Sequence, residues 1–158
     1  MKKNIQGFTL IEVLTVVAII GLLSSIILVG LGSFRARARD ARRIADLRTV
    51  QTSLELYYTK FSQYPQDGDW DTLQTELVTA NIGVTKIAKD PLTSRPGYDQ
   101  YSFDGSSDRQ SYILRAELED TNNPALADSF HGFTGSPIPG ITIDCSNTAS
   151  KPYYCVQF

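Results

Sequence analysis

"QGFTLIEVLTVVAIIGLLSSIILVGLGSF", from Gln6 to Phe34, sets one carboxylate, Glu12, in an otherwise apolar run. Between residues 9 and 31 Glu12 is the only charge and proline is absent, so the run meets the roughly 20-residue length of a membrane-spanning helix. Such a segment spans a bilayer or is buried in protein. A secretory signal is the rival reading, because "MKKN" supplies a basic start, but the apolar stretch of such a signal is only about 7–15 residues long. This one is longer.

From Phe34 onward the character changes without a helix breaker: "RARARDARRIADLRTVQTSLELYYTKFSQYP". Ile44, Leu47, Val50 or Gln51, Leu54, Tyr57 or Tyr58, and Phe61 recur at steps of three and four, the stripe of an amphipathic helix. Pro65 disfavours helical geometry at Tyr64 and ends the element nearby. One helix from Phe8 to about Phe61 would be roughly 80 Å long at 1.5 Å per residue, against about 30 Å of bilayer hydrocarbon. Its second half must therefore stand outside the membrane.

After Pro65 the sequence turns to Gly, Asp, Ser and Pro with short apolar runs. "WDTLQTELVTANI" from Trp70 predicts a short helix, and "KDPLTSRPG" a loop. "YDQYSF" (Tyr98–Phe103) and "SYILRAEL" (Ser111–Leu118), separated by "DGSSDRQ", predict an antiparallel hairpin. "GITID" and "YYCVQF" are further strand candidates, which makes the soluble part a small antiparallel sheet laid on the helix stripe.

The totals fit one modest domain plus an extra segment: 158 residues, 42% hydrophobic and 20% charged. A formal charge of -2 argues against a globally basic nucleic-acid binder. Cys145 and Cys155 flank the turn-forming stretch "SNTASKPYY", and with a single histidine and no CxxC a disulfide is favoured over a metal site or redox motif. Two unrelated free thiols are the bland alternative. A bridge would place this end outside the cytosol and add on the order of 3 kcal/mol in the chain-entropy model.

"KKNIQGFTLIEVLTVVAIIGLLSSI" resembles the N-terminus of type IV pilins and of the pseudopilins of type II secretion systems. A short basic leader ends in Gly7; Phe8, Thr9 and Leu10 follow; Glu12 is the fifth residue after that glycine; then comes a long apolar helix. The resemblance is strong to about residue 65, and beyond it only the layout matches, a hairpin sheet with a C-terminal cysteine loop. It implies cleavage between Gly7 and Phe8 by a prepilin peptidase and N-methylation of the new Phe8 amine. It also implies that Glu12 sets register by meeting the N-terminal amine of a neighbouring subunit. An ionised group at depth costs roughly 3 kcal/mol on insertion scales, so it persists with a partner or a role. Gly21, Gly30 and Gly32 would permit close helix approach or local loosening, although glycine is common in membrane helices anyway.

Six arginines, Arg35, Arg37, Arg39, Arg42, Arg43 and Arg48, stand against Asp40 and Asp46. The positive-inside rule would put this side in the cytoplasm, whereas the processing motif and the cysteine pair put it outside; the two features together outweigh the bias. Lipid, DNA or neighbouring subunits are functional readings of the run. The bland one is a solvated face with Arg39 and Arg43 spaced i, i+4. Nucleic-acid binding lacks the exposed aromatics that a strand would stack on.

Chemistry elsewhere is thin. His131 is the sole histidine, no HExxH, GxSxG, Walker A or GxGxxG pattern occurs, and no enzyme is expected. Asp120, Asn122, Asn123 and Asp128 offer oxygen ligands for calcium, which some major pseudopilins bind, but the stretch is not an EF-hand and such clusters are ordinary turn formers. No other cofactor is expected.

The expectation is thus an α+β, pilin-like protein. Residues 1–7 form a removable leader, 8–34 a membrane and filament-core helix, 35–64 its amphipathic continuation, and 65–158 a globular head with the sheet and cysteine loop. It would wait in the cytoplasmic membrane, N-terminus inside. A prepilin peptidase would cut it, and an assembly platform with its ATPase would draw it into a homo-oligomeric fibre, a type IV pilus. A periplasmic pseudopilus for type II secretion is the near alternative, and a membrane-anchored binding module that never polymerises the distant one.

Overall fold

A computed structural model describes residues 8–66, 68–92, 101–130, 140, 142–146 and 151–158, without the side chains of 26–31. The element order is α1 (Leu10–Phe61), α2 (Trp70–Thr79), β1 (Ser102–Gly105), β2 (Tyr112–Glu117), a 3₁₀ turn (Pro124–Asp128) and β3 (Tyr153–Gln157). The chain divides into two compact units, 1–35 and 36–158.

In the first unit every described large apolar side chain from Phe8 to Leu23 is exposed, from Phe8 at 87% to Val13 at 53%. A helix that is apolar all round belongs in a membrane or in the core of a larger assembly. Among the described residues no helix is long and apolar enough to cross a membrane; the apolar run of the sequence continues through 26–31, whose side chains lie outside the description. Gly21 and Gly32 sit in helix with open space where a Cβ would be, and Gly30 lies outside the described side chains.

In the second unit the stripe of α1 reads Asp40, Arg43, Leu47, Val50, Leu54 and Tyr57, all buried at steps of three and four. Ile44, Gln51 and Tyr58 flank it half-buried, and Phe61 is exposed. The helix ends earlier than Pro65 requires: Ser62 takes a left-handed conformation (φ 55°), and its N–H still reaches the Tyr58 carbonyl at 2.7 Å. Asp69 caps α2 by accepting from the Thr72 N–H at 2.7 Å. Leu73 and Leu77, one turn apart, then enter the core.

The sheet is three-stranded and antiparallel in the order β1-β2-β3, with Phe103 opposite Leu114 and Leu114 opposite Val156. Because side chains alternate across a strand, Tyr112, Leu114 and Ala116 join the helix-side core with Leu47, Val50, Leu54 and Leu73. Ile113 points the other way, into a second cluster with Cys145, Tyr153 and Cys155. Both faces of β2 are therefore covered.

Two strand expectations need correction. β1 begins at Ser102, later than Tyr98, and residues 98–100 lie outside the described residues. "GITID" supplies no strand among its described residues: the Thr142 and Ile143 N–H groups donate to the Asp104 carboxylate instead of to a ladder, Ile143 at 3.0 Å. Gly140 in the same segment has φ +90°, and a Cβ there would fall 2.9 Å from the Ser107 nitrogen, so this approach requires glycine.

Candidate functional site

The first turn of α1 holds the charge that the apolar run keeps. Thr9 precedes the helix, and Glu12 is its third residue. The Thr9 N–H donates to Glu12 Oε2 at 2.8 Å and the Thr9 hydroxyl to the same oxygen at 2.7 Å, while the Glu12 N–H approaches Thr9 Oγ1 at 3.4 Å. This is a capping box, in which residues three apart satisfy helix-end donors reciprocally. Phe8 and Val13 occupy the flanking positions of a hydrophobic staple. Thr-x-x-Glu before an apolar run is the sequence signature of such a box, so Glu12 serves its own helix as well as any intersubunit role. Gly7 lies outside the described residues, and Phe8 is exposed.

Arg35, Arg37, Arg42 and Arg48 are exposed, as a solvated face would be, but Arg39 is half-buried and Arg43 is not solvated at all. Arg43 is fully buried and donates from Nε to Asp90 Oδ2 at 2.8 Å, and from Nη1 to Asp40 Oδ1 at 2.7 Å and to Glu119 Oε1 at 2.8 Å. Arg39 grips Glu119 with two bonds, 2.7 and 2.6 Å. Asp40 also accepts the backbone N–H groups of Glu119 and Asp120, both at 2.9 Å. Arg37 pairs with Asp120 at 3.3 Å and Arg42 with Asp46 at 3.7 Å.

A buried ion-pair network does little for net stability, since desolvation offsets the attraction, but losing any one partner leaves an uncompensated buried charge. Here it fixes the segments around Asp90 and Glu119 to α1. The Arg39 hydrogen bond, aided by Arg43 and opposed by burial, holds the Glu119 carboxyl below its usual range. Farther along α1, Glu55 accepts from the Tyr64 and Tyr112 hydroxyls at 3.2 and 3.1 Å. Burial, reinforced by Glu55, pushes both phenols above their ordinary range.

Cys145 and Cys155 are joined, their Cα atoms 6.1 Å apart, on the face of the sheet away from α1. The calcium candidates serve local structure. Asp120 pairs with Arg37 and accepts the Asn122 N–H at 3.0 Å, and Asn123 caps the 3₁₀ turn through the Ala125 N–H. Asp128 is exposed at the end of that turn. Among the described residues no three His, Cys, Asp or Glu side chains gather as metal ligands. His131 lies outside the described residues.

A long helix with an apolar, capped start, whose second half seats a small antiparallel sheet, is the pilin-like α+β architecture. Residues 2–28 match the family model described as "Prokaryotic N-terminal methylation motif". Type II secretion system core protein G of Escherichia coli is 30% identical over 118 residues, which cover 75% of this chain and 68% of that protein. The protein of the same name from Dickeya chrysanthemi is 27% identical over 66% of this chain and 60% of its own length, and that of Vibrio cholerae 34% identical over 41% and 44%. The chain belongs to the type II secretion system core protein G family, within the wider group of pilins and pseudopilins. It spans 60% and 45% of the Dickeya chrysanthemi and Aeromonas hydrophila relatives' lengths. No solved structure matches it.

Proposed function

We propose that this chain is a pseudopilin, a structural subunit drawn from the cytoplasmic membrane into a short filament that serves type II secretion. The observation that carries this reading is the likeness to core protein G of Escherichia coli, which extends well past the N-terminal motif into the globular part. It favours the secretion filament over the long surface pilus. The C-terminal cysteine loop, which resembles the pilin layout, keeps the pilus as a second reading.

The apolar segment would hold the subunit in the membrane before and after a peptidase cuts beyond Gly7, until assembly draws it into the filament. The new Phe8 amine and the Glu12 carboxylate then set the register of incoming subunits. Apolar side chains exposed around residues 8–23 supply cohesion by packing against neighbouring helices. Head-to-tail contacts of this kind do not close and so generate a filament. The role on this reading is mechanical.

Deletion of the coding region, scored both for export of the host's secreted enzymes and for sheared surface fibres, separates the two readings. Loss of export with fibres unchanged supports the pseudopilin. Loss of fibres with export intact supports the pilus.

A further inference from the structure

Of the run's arginines that fall in the second unit, Arg48 alone has no carboxylate partner among the described residues. It is exposed, and its guanidinium donates to Gln51 Oε1 at 3.3 Å. Arg48 lines a groove of about 480 Å³ between α1 and β3, and Asp128, Phe130 and Phe158 stand on the same walls. Asp128 is exposed and pairs with no cation among the described residues, Arg48 included. The groove therefore holds one charge of each sign, both unspent.

A complementary pair lies elsewhere on the same unit. The turn between β1 and β2 carries Asp108 and Arg109 side by side, and neither has an ion-pair partner among the described residues. The Ser106 hydroxyl and the Gln110 N–H donate to the Asp108 carboxylate and hold it below its usual range. Arg109, in a left-handed conformation (φ 57°), donates from Nε to the Tyr64 carbonyl at 2.7 Å, and the Tyr64 N–H returns to the Arg109 carbonyl at 2.9 Å. The turn is thus fixed to the chain that follows α1. It meets α1 at Tyr58, whose hydroxyl donates to Gln110 Oε1 at 2.9 Å. Arg48 lies roughly 15 Å back along the helix at 1.5 Å per residue, so a subunit does not fill its groove with its own turn.

We propose that the β1–β2 turn of a second copy docks in this groove, Asp108 against Arg48 and Arg109 against Asp128. The inference rests on the filament-subunit reading and deepens it. Charge complementarity names the occupant, and docking would also cover Phe158, which is 59% exposed. Turn and groove are different surfaces at different heights of one helix. Such a contact is heterologous, and its repetition builds an open fibre. Exposed ion pairs add little affinity each; here they select orientation and reject wrong neighbours, while the apolar helices supply cohesion.

The test uses Arg48→Lys, which keeps the charge and offers an amine that a carbodiimide joins to a touching carboxylate with loss of one water. The full chain carrying Arg48→Lys and Asp108→Asn is produced together with the parent chain in a host lacking the native copy, so any link between positions 48 and 108 joins two subunits. Peptide masses from sheared polymer should show that link. No link, or links from position 48 to other carboxylates only, would overturn the inference. Arg48→Lys alone should polymerise as the parent does, and Arg48→Glu should lower polymer about fivefold or more, because like charges then face each other; parental polymer from Arg48→Glu would also overturn it. If the parent gives no polymer, the filament reading fails by itself. The same coupling on membrane-held chains then decides the contact: the link upholds it and its absence refutes it.

Discussion

Arg43 and Asp90 meet in the interior through two hydrogen bonds, Nε to Oδ2 at 2.8 Å and Nη2 to Oδ1 at 3.2 Å, with both side chains fully shielded from solvent. Forty-seven residues separate them in sequence. The pair ties the α1 stripe to the segment after α2 at the point where the apolar part of the stripe gives out.

Removing one partner leaves the other charged, buried and unpaired. Arg43→Met should therefore destabilise the globular unit by about 3–5 kcal/mol. Denaturant melts of the detergent-solubilised chain, followed by tyrosine fluorescence, check this; a change below 1 kcal/mol would show that the network relaxes to admit water.

Glu119 predicts an acid limb. Its carboxyl titrates below the usual 4.5 when folded, so the unfolded chain binds the proton more readily and stability falls as pH drops through and below that value. The contribution is full above the unfolded pKa and lost below the folded one. Glu119→Gln should lower stability at neutral pH and flatten the slope between about pH 5 and pH 3, as read from thermal midpoints across that range.

The phenols of Tyr64 and Tyr112 predict the opposite limb. Both titrate above the ordinary phenol value of 10.0 when folded. The stability they confer is complete below the unfolded value and is lost as pH rises beyond it. Tyr112→Phe should flatten that alkaline loss and reduce stability at neutral pH by about 1 kcal/mol, the usual net worth of one hydrogen bond.

The disulfide closes a loop of sequence separation 10. Cys145→Ser with Cys155→Ser should lower stability by about 3 kcal/mol in the chain-entropy picture. The melt of the double variant should match that of the reduced parent, and a mismatch would point to packing of the thiols in the cluster with Ile113 and Tyr153.

Much of this was legible in the residues. Leu47, Val50, Leu54 and Tyr57 announce the core face of α1 by period alone, and the helix at Trp70–Thr79 and the strand at Tyr112–Glu117 fall within the segments expected from composition and the turn residues between them. Asp40 and Arg43 were not legible as core, because a hydropathy pattern scores a charge as exposed. Their partners, Asp90 and Glu119, are nearly 50 and 80 residues distant. Similarly, "GITID" has strand composition, but the Asp104 carboxylate captures its N–H groups before a neighbouring strand can. At the site, the spacing of Gly7, Phe8 and Glu12 was plain. The capping role of Thr9 is equally written in the sequence, as Thr-x-x-Glu before an apolar run.

Processing and polymerisation from the membrane are what the pseudopilin reading requires of this chain. Intact mass and N-terminal sequencing, without reductant, of protein from membranes and from sheared material test both in one step. The expected result is a chain that begins at N-methylated Phe8, lighter by two hydrogens from the Cys145–Cys155 bond, and present in the polymer fraction when the subunit is overproduced. A chain that begins at Met1, reduced and confined to membranes, would contradict it.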